Sequence, residues 1–523
     1  MTFEALTALA ANIPALPMMS FSSYWFVFAF LPVAYLLFLV AHGAGGWPMA
    51  LRAIALISLV YYAQFGWKLV AVLICSVLVN YAIGILLTSR TVDQKTRGAL
   101  TIAGVIGNIA MLGYFKYTNF LIDVANQVSG AGFSHLDILL PVGVSFFTFI
   151  QIGYLIEAYN NQVERQPLSR YFVFATFFPC IAAGPLVLQK EMFDQMKDRN
   201  DAAFNPLRVA TALTLFCIGL FKKVAIADSI APYANSVFDG VANGMVVDQA
   251  TAWAGALAYT MQLYFDFSGY SDMALALGLL FGLRLPLNFN SPFKATNISD
   301  FWRRWHMTMT RFFTNFIYTP MAINGMRGAL AKQSSPLSRY LMTAAVPAIV
   351  TFLIAGIWHG SGYTFIVYGL IHGFAIAAYL GWREAKLPAL PTPVSWTLTM
   401  LVVITGLVVF RAPDMGVVQT MLAQMWVPML TDVSPLAETV NIELDQAFAA
   451  LVLLLAVVLL FPNSQQILHR NWVSIDTKPA DAEQEAGLMT WRPKIFQSAT
   501  IGVLFCVALS SIGASSSFLY YQF

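Results

Sequence analysis

Residues 342–360, MTAAVPAIVTFLIAGIWHG, decide the class of this protein. From Met342 to Trp358 there is no formal charge, and a histidine follows at once. A bilayer core of ~30 Å is spanned by ~20 apolar residues in a helix, and this run approaches that length. Pro347 can kink it, and Gly356 and Gly360 let a second backbone come close. His359 therefore stands near membrane depth, where an ionisable group is costly to keep.

The same pattern recurs on both sides. Apolar runs fall near 22–40, 51–65, 69–88, 99–116, 138–158, 170–188, 209–227, 252–282, 340–358, 361–381, 395–411, 446–462 and 497–515. Hydrophobic residues make up 58% of the 523 and charged residues 11%, against about 25% charged in soluble chains. Mean hydropathy is +0.68. In lipid, backbone polar groups must be satisfied within the chain, which helices achieve. These observations predict an all-α, polytopic membrane protein with about 11–13 transmembrane helices plus interfacial helices. Membrane lipids are its first expected partners, and a net charge of +3 is too small to imply nucleic acid. Residues 1–18 lack Lys and Arg and make a poor signal peptide, so they are expected to be an N-terminal extension, with Met18 or Met19 an alternative start. Arg52, Arg90, Lys95 and Arg97 place the N-terminus outside by the positive-inside rule. The polar stretch 463–496 is expected to be a soluble-like, mobile loop. The four cysteines show no C-x-x-C spacing and suit small buried hydrophobes; no metal site is expected. No repeat of 20–50 residues is present.

Charge is concentrated in one place, Phe301–Phe313, FWRRWHMTMTRFF. Asn297 or Ser299 can cap a helix there. At ~100° per residue, Trp302, Trp305, Met309, Phe312 and Phe313 share a face, with Arg304 and Arg311 opposite and His306 at the edge. The expectation is an interfacial amphipathic helix. An anchor of that kind accounts for every residue except His306. Imidazole near pKa ~6.5 can take and return a proton, but His306 and His359 can equally be hydrogen-bonded between helices. His372 has the same ambiguity and leans to a structural role. A second polar cluster, YFDFSGYSD (264–272), puts Asp266 and Asp272 in an apolar run. Buried carboxylates need partners or water. Asp272 suits a structural knot, whereas Asp266 suits either that or the wall of a cavity. Gly269 marks a break or a tight helix contact, and Glu157 is expected to pair with Lys222 or Lys223.

Eight stretches in order resemble the membrane-bound O-acyltransferase family, and in particular its bacterial branch that acetylates alginate. They are SFSSYWFVFAFLP (20–32), LGYFKYTNF (112–120), LLPVGVSFFTF (139–149), FFPCIAAGPLV (177–187), GLFKKVAIAD (219–228), YFDFSGYSDMALALGLLFGLRLPLNFNSPF (264–293), DFWRRWHMTMTRFFTNFIYTPM (300–321) and GIWHG (356–360). The chain departs from its relatives at Asn315, where they usually carry an acidic residue, and at 321–325. The resemblance implies helices around a tunnel, with a catalytic core over 19–385 and further membrane helices over 386–523. It implies that His359 is the central catalytic residue and His306 the second histidine, placed on the cytoplasmic approach. Arg303 and Arg304 become candidates for holding donor phosphates; Asp266, Asn288 and Trp358 are further candidates for substrate binding. The donor expected is acetyl-CoA or an acyl-carrier thioester used as co-substrate, with no tightly bound cofactor. In this branch the acetyl group crosses the bacterial inner membrane to a periplasmic or extracellular acetyltransferase partner, which modifies an alginate-like or cellulose-like polysaccharide. Direct acylation of a lipid or small molecule, and a transporter or flippase, are the competing functions.

Overall fold

Polar caps and glycines cut the apolar runs into helices. A computed structural model of the protein describes residues 19–197, 204–427, 439–440, 442–476, 490–513 and 518–519. The expected extension, 1–18, lies outside them. In chain order, the helices that matter are α1 (Leu31–Ala63), α2 (Trp67–Leu87), α3 (Gln94–Leu112), α4 (Thr118–Ser129), α5 (Val144–Tyr159), α6 (Pro206–Phe221), α7 (Asp228–Ala242), α8 (Gln249–Leu280), α9 (Ile298–Trp302), α10 (Met307–Phe313), α11 (Val346–His359), α12 (Tyr363–Glu384), α13 (Thr392–Arg411), α14 (Leu444–Leu460) and α15 (Ile495–Ser510). Asp93, Asn205 and Asp248 cap α3, α6 and α8 by accepting backbone N–H groups, as short polar side chains do at helix starts.

Among the described residues, seven helical stretches are long and apolar enough to cross a bilayer, and four shorter apolar helices join them. Three isolated bridges are the only β pairings there. Outward faces are apolar: Leu36, Val40, Leu56, Ile102 and Ile106 are all exposed. A soluble protein rarely exposes such continuous apolar surface. The chain is a multi-pass membrane protein.

Several expectations are corrected. The run 170–188 is not one span but two short helices, Leu168–Thr176 and Phe178–Ile181. Pro179 offers no N–H and its ring collides with the carbonyl four residues back. Cys75 and Cys506 are exposed rather than buried; they sit on outer faces of apolar helices, where a bilayer is itself apolar. Much of the polar stretch after 463 is packed: Ser464, Gln465, Leu468, Val473 and Ser474 are buried, and Asp476 accepts the N–H of Leu287 at 2.7 Å. Residues 477–489 of that stretch lie outside the described residues.

The centre of the fold is α8, which is buried along almost its whole length and continuous through Gly269. Gly269 makes a close contact, not a break. A methyl group there would stand 2.7 Å from the carbonyl oxygen of Gly219 in α6, and one on Gly219 would stand 2.6 Å from that of Gly269. Small residues let backbones meet this closely. Just beyond, a π-helical turn, Lys222–Ala227, lets two consecutive lysines reach α8. Lys222 pairs with Asp272 at 2.6 Å and Lys223 with Asp266 at 2.5 Å. Lys223 also pairs with Asp228 at 2.8 Å and Lys222 donates to Ser464 at 3.2 Å; among the described contacts, Glu157 pairs with neither lysine.

Candidate active site

The segment after α8 builds the first half of the site. Phe301–Phe313 is not one helix. It is α9 and α10 with a reversal between them, and His306 sits at the reversal with φ 45°, ψ 50°. Left-handed backbone costs a non-glycine residue roughly 1–2 kcal/mol, so its surroundings must hold it. Asn290 N–H donates to Arg304 O at 2.9 Å and Met307 N–H to Asn288 O at 3.0 Å. The Thr308 hydroxyl donates to Asn288 Oδ1 at 2.7 Å and accepts the Leu186 N–H at 2.9 Å. These bonds dock the reversal onto the strand-like stretch 287–290, so local helix preference gives way to tertiary hydrogen bonds. Asn297 caps α9 through Asp300 N–H.

The five aromatic and methionine side chains expected on one face are all buried. Protein covers them, not lipid: Phe312 and Phe313 pack on Phe149, and Trp302 on Phe352. The interfacial-anchor expectation is thereby replaced. His306 is 1% exposed. Burial among apolar groups lowers its pKa below the ordinary histidine value, so it is neutral near pH 7.

The second half comes from α11. His359 is its last residue, and it is buried. The Lys116 Nζ, from a π turn after α3, donates to Trp358 O at 2.6 Å and His359 O at 2.9 Å. A cation at a helix C-terminus satisfies carbonyls that have no partner within the helix. The two histidine rings lie 6.5 Å apart, centre to centre, with Trp358 packed on both at 5.9 and 4.7 Å. A cavity of about 130 Å³ opens beside His359, lined by Lys116, Ala182, Trp358, His359 and residues 140–146; His306 stands behind Trp358 and His359 and is not part of its wall. Gly143 forms its wall with φ 72°; a side chain there would strike the carbonyl of Ile181. An imidazole on the wall of a small, mostly apolar chamber can move a proton at an atom held there while excluding most water.

The other candidates separate by place. Trp358 is in the site. Asn288 is next to it but spends its amide oxygen on Thr308, so it shapes the reversal. Asp266 pairs with Lys223 and accepts the N–H of Leu519 at 3.2 Å; it lines a helix contact, and no cavity described here opens onto it. Arg303 and Arg304 both pair with Asp300, at 3.2 and 2.9 Å, and the Arg303 side chain is 70% exposed. Arg311 pairs with Glu191. His372 is wedged between Trp302 and Tyr368 at 5.0 and 4.7 Å. The site also holds Lys116, Thr308 and Tyr368, which motif and periodicity do not single out; the Tyr368 ring is 5.7 Å from that of His359. Lys116 carried a usable signal, a lone cation ending the apolar run 99–116.

Residues 144–417 match the model of MBOAT, the membrane-bound O-acyltransferase family. The chain is 35% identical over 424 residues to the peptidoglycan O-acetyltransferase of Helicobacter pylori, covering 76% of this chain and 77% of that one. It is 31% identical over 512 residues to the Pseudomonas putida protein named "Probable alginate O-acetylase AlgI", covering 97% and 100%. To the teichoic acid D-alanyltransferase of Bacillus subtilis it is 28% identical over 268 residues, covering 50% and 65%.

Proposed function

This chain belongs to the membrane-bound O-acyltransferase family, and from that premise we propose that it moves acetyl groups from a cytoplasmic thioester across the bacterial inner membrane, for O-acetylation of an exported polysaccharide. The observation that supports the site assignment is the meeting of His306 and His359, 53 positions apart in sequence, with His359 on the wall of a cavity. In this scheme the His359 imidazole takes the proton of the attacking hydroxyl. The hydroxyl oxygen bonds to the thioester carbonyl carbon, the carbon–sulfur bond breaks, and the imidazolium returns its proton to the departing thiolate. His306 holds the donor carbonyl or assists the proton transfer, and Trp358 fixes both rings. Arg303, exposed on its side of the reversal, attracts the phosphates of coenzyme A or of a carrier's phosphopantetheine.

The acceptor class draws support from relatives named for acetylating alginate and peptidoglycan, both glycans. A periplasmic acetyltransferase partner completes the relay. The test is acetyl transfer from labelled acetyl-CoA by purified protein in proteoliposomes, with and without the partner. A positioned general base contributes roughly 10²–10⁴-fold, so His359→Ala should lower transfer by that factor while the protein stays folded. Near wild-type transfer by that variant sinks the mechanism. Transfer to lipid without partner or polymer sinks the relay and leaves direct acylation.

A further inference from the structure

The C-terminal residues Phe518 and Leu519 return to α8 beside the site. Phe518 is buried and stacks on Tyr270 at 4.4 Å. Phe21, from the other end of the chain, stacks on the same tyrosine at 4.9 Å. Phe518 also packs on Phe267 at 6.0 Å, and Phe267 meets the His306 ring edge to face at 4.7 Å. One residue on, Leu519 N–H donates to Asp266, which holds Lys223. Asp266, Phe267 and Tyr270 occupy little more than one turn of α8, so both contacts of the tail fall on that turn.

The space around Phe518 is nearly full. Only about 10 Å³ remains beside it, among Phe21, Tyr270, Met273 and Lys223, no more than one water would occupy. The backbone of His306 is held by Asn288 and Thr308, as described above. Its ring direction is another matter: Phe267 bears on it from α8 and Trp358 from α11. Removing the Phe518 ring opens a gap behind Phe267, into which Phe267 can turn.

We propose that Phe518–Leu519 is a positioning element for the acyl-transfer site, fixing the direction of the His306 ring through Phe267. This rests on the role given to the two histidines above. The element explains why a carboxylate, Asp266, is kept in an apolar helix away from the cavity: it anchors the tail and, together with Asp228, holds Lys223. It also ties both ends of the described chain to one turn of α8.

The test compares wild type, Phe518→Ala, Phe518→Leu and Leu519→Pro in the full-length protein. The proline removes the N–H that Asp266 accepts, so it probes the same element by a second contact where the alanine variant fails to fold. Three readouts are needed: acetyl transfer, thermal unfolding, and carbethoxylation of individual histidines by diethyl pyrocarbonate, mapped by mass spectrometry. Phe518→Ala should lower kcat by about tenfold with the donor KM within about twofold, as a misplaced group costs on the order of 10–100-fold. His306 should be labelled several-fold faster, His372 at its wild-type rate, and Phe518→Leu should restore both values most of the way. Unchanged labelling of His306 in folded Phe518→Ala or Leu519→Pro overturns the proposal. Equal acceleration at His372 also overturns it, since that means general loosening. Labelling is read without turnover, so it stands apart from the acyl-transfer reading, whose own failure shows as equal transfer by wild type and His359→Ala.

Discussion

Thr308→Val gives the sharpest test of how the reversal at His306 is held. The threonine hydroxyl is buried and makes two bonds, donating to Asn288 Oδ1 at 2.7 Å and accepting Leu186 N–H at 2.9 Å. Valine keeps nearly the same shape and removes both. The Leu186 N–H is then left without that acceptor. Asn288 Oδ1 keeps only the longer contact from the backbone N–H of residue 308, at 3.4 Å. A buried polar group left unmatched costs ~1–3 kcal/mol, and two of them, one partly compensated, cost roughly 2–4 kcal/mol. Part of that falls on global stability and part on the adjacent left-handed residue. At ~1.4 kcal/mol per factor of ten, a turnover loss of about 10–100-fold is expected, with thermal unfolding lowered by a few degrees. Thr308→Ser retains the hydroxyl and loses one methyl, worth ~1 kcal/mol, so it should remain within about threefold of wild type. The assay is labelled acetyl transfer in proteoliposomes beside thermal unfolding in detergent. If the valine and serine variants behave alike in both, the hydroxyl bridge does not hold the site and the argument is wrong.

Three other outcomes follow from the geometry. His306→Gly and His306→Ala should both lose transfer, yet the glycine variant should be the more stable by about 1 kcal/mol, because only alanine keeps the left-handed strain; the ordering of their unfolding temperatures checks it. Lys116→Met removes the donor to the carbonyls of Trp358 and His359; hydrogen bonds to charged groups are worth ~1.5–3 kcal/mol, so transfer should fall by at least about tenfold, measured as initial rate per folded protein. Gly219→Val places a side chain where a methyl already meets the Gly269 carbonyl at 2.6 Å; the monodisperse fraction on size-exclusion chromatography should collapse, while Gly107→Val, whose position has nothing within 4 Å, should leave it unchanged.

The helical class and most spans were legible because lipid imposes one rule on every residue of a span. His359 was legible for a related reason, since a histidine ending an uncharged run must be accounted for. The break at His306 was not. Its residues FWRRWHMTMTRFF fit one amphipathic helix by period, and what splits them is a set of bonds to Asn288, Asn290 and Leu186, as far as 122 positions away. Periodicity reports a buried face but cannot say whether lipid or protein covers it. Asp266 and Asp272 stand out in the sequence as carboxylates that need partners in an apolar run. Which lysine each would take depended on a π turn that shifts two neighbours onto one helix, and no composition rule displays that. Lys116 was passed over because it closes an apolar run, where a cation is easily taken for a boundary marker.

The pairing of α8 with the Lys222–Lys223 turn also bears on how the protein enters the membrane. Without the lysines, α8 would carry two unpaired carboxylates, each costing roughly 2.5–3.5 kcal/mol were it at the centre of a span in hydrocarbon. Lys222 and Lys223 are synthesised about forty to fifty residues earlier, on the preceding long helix. Entry of the two helices together would bring each carboxylate in with its lysine partner. The Gly219–Gly269 contact is what lets the two backbones lie close enough for those pairs to form.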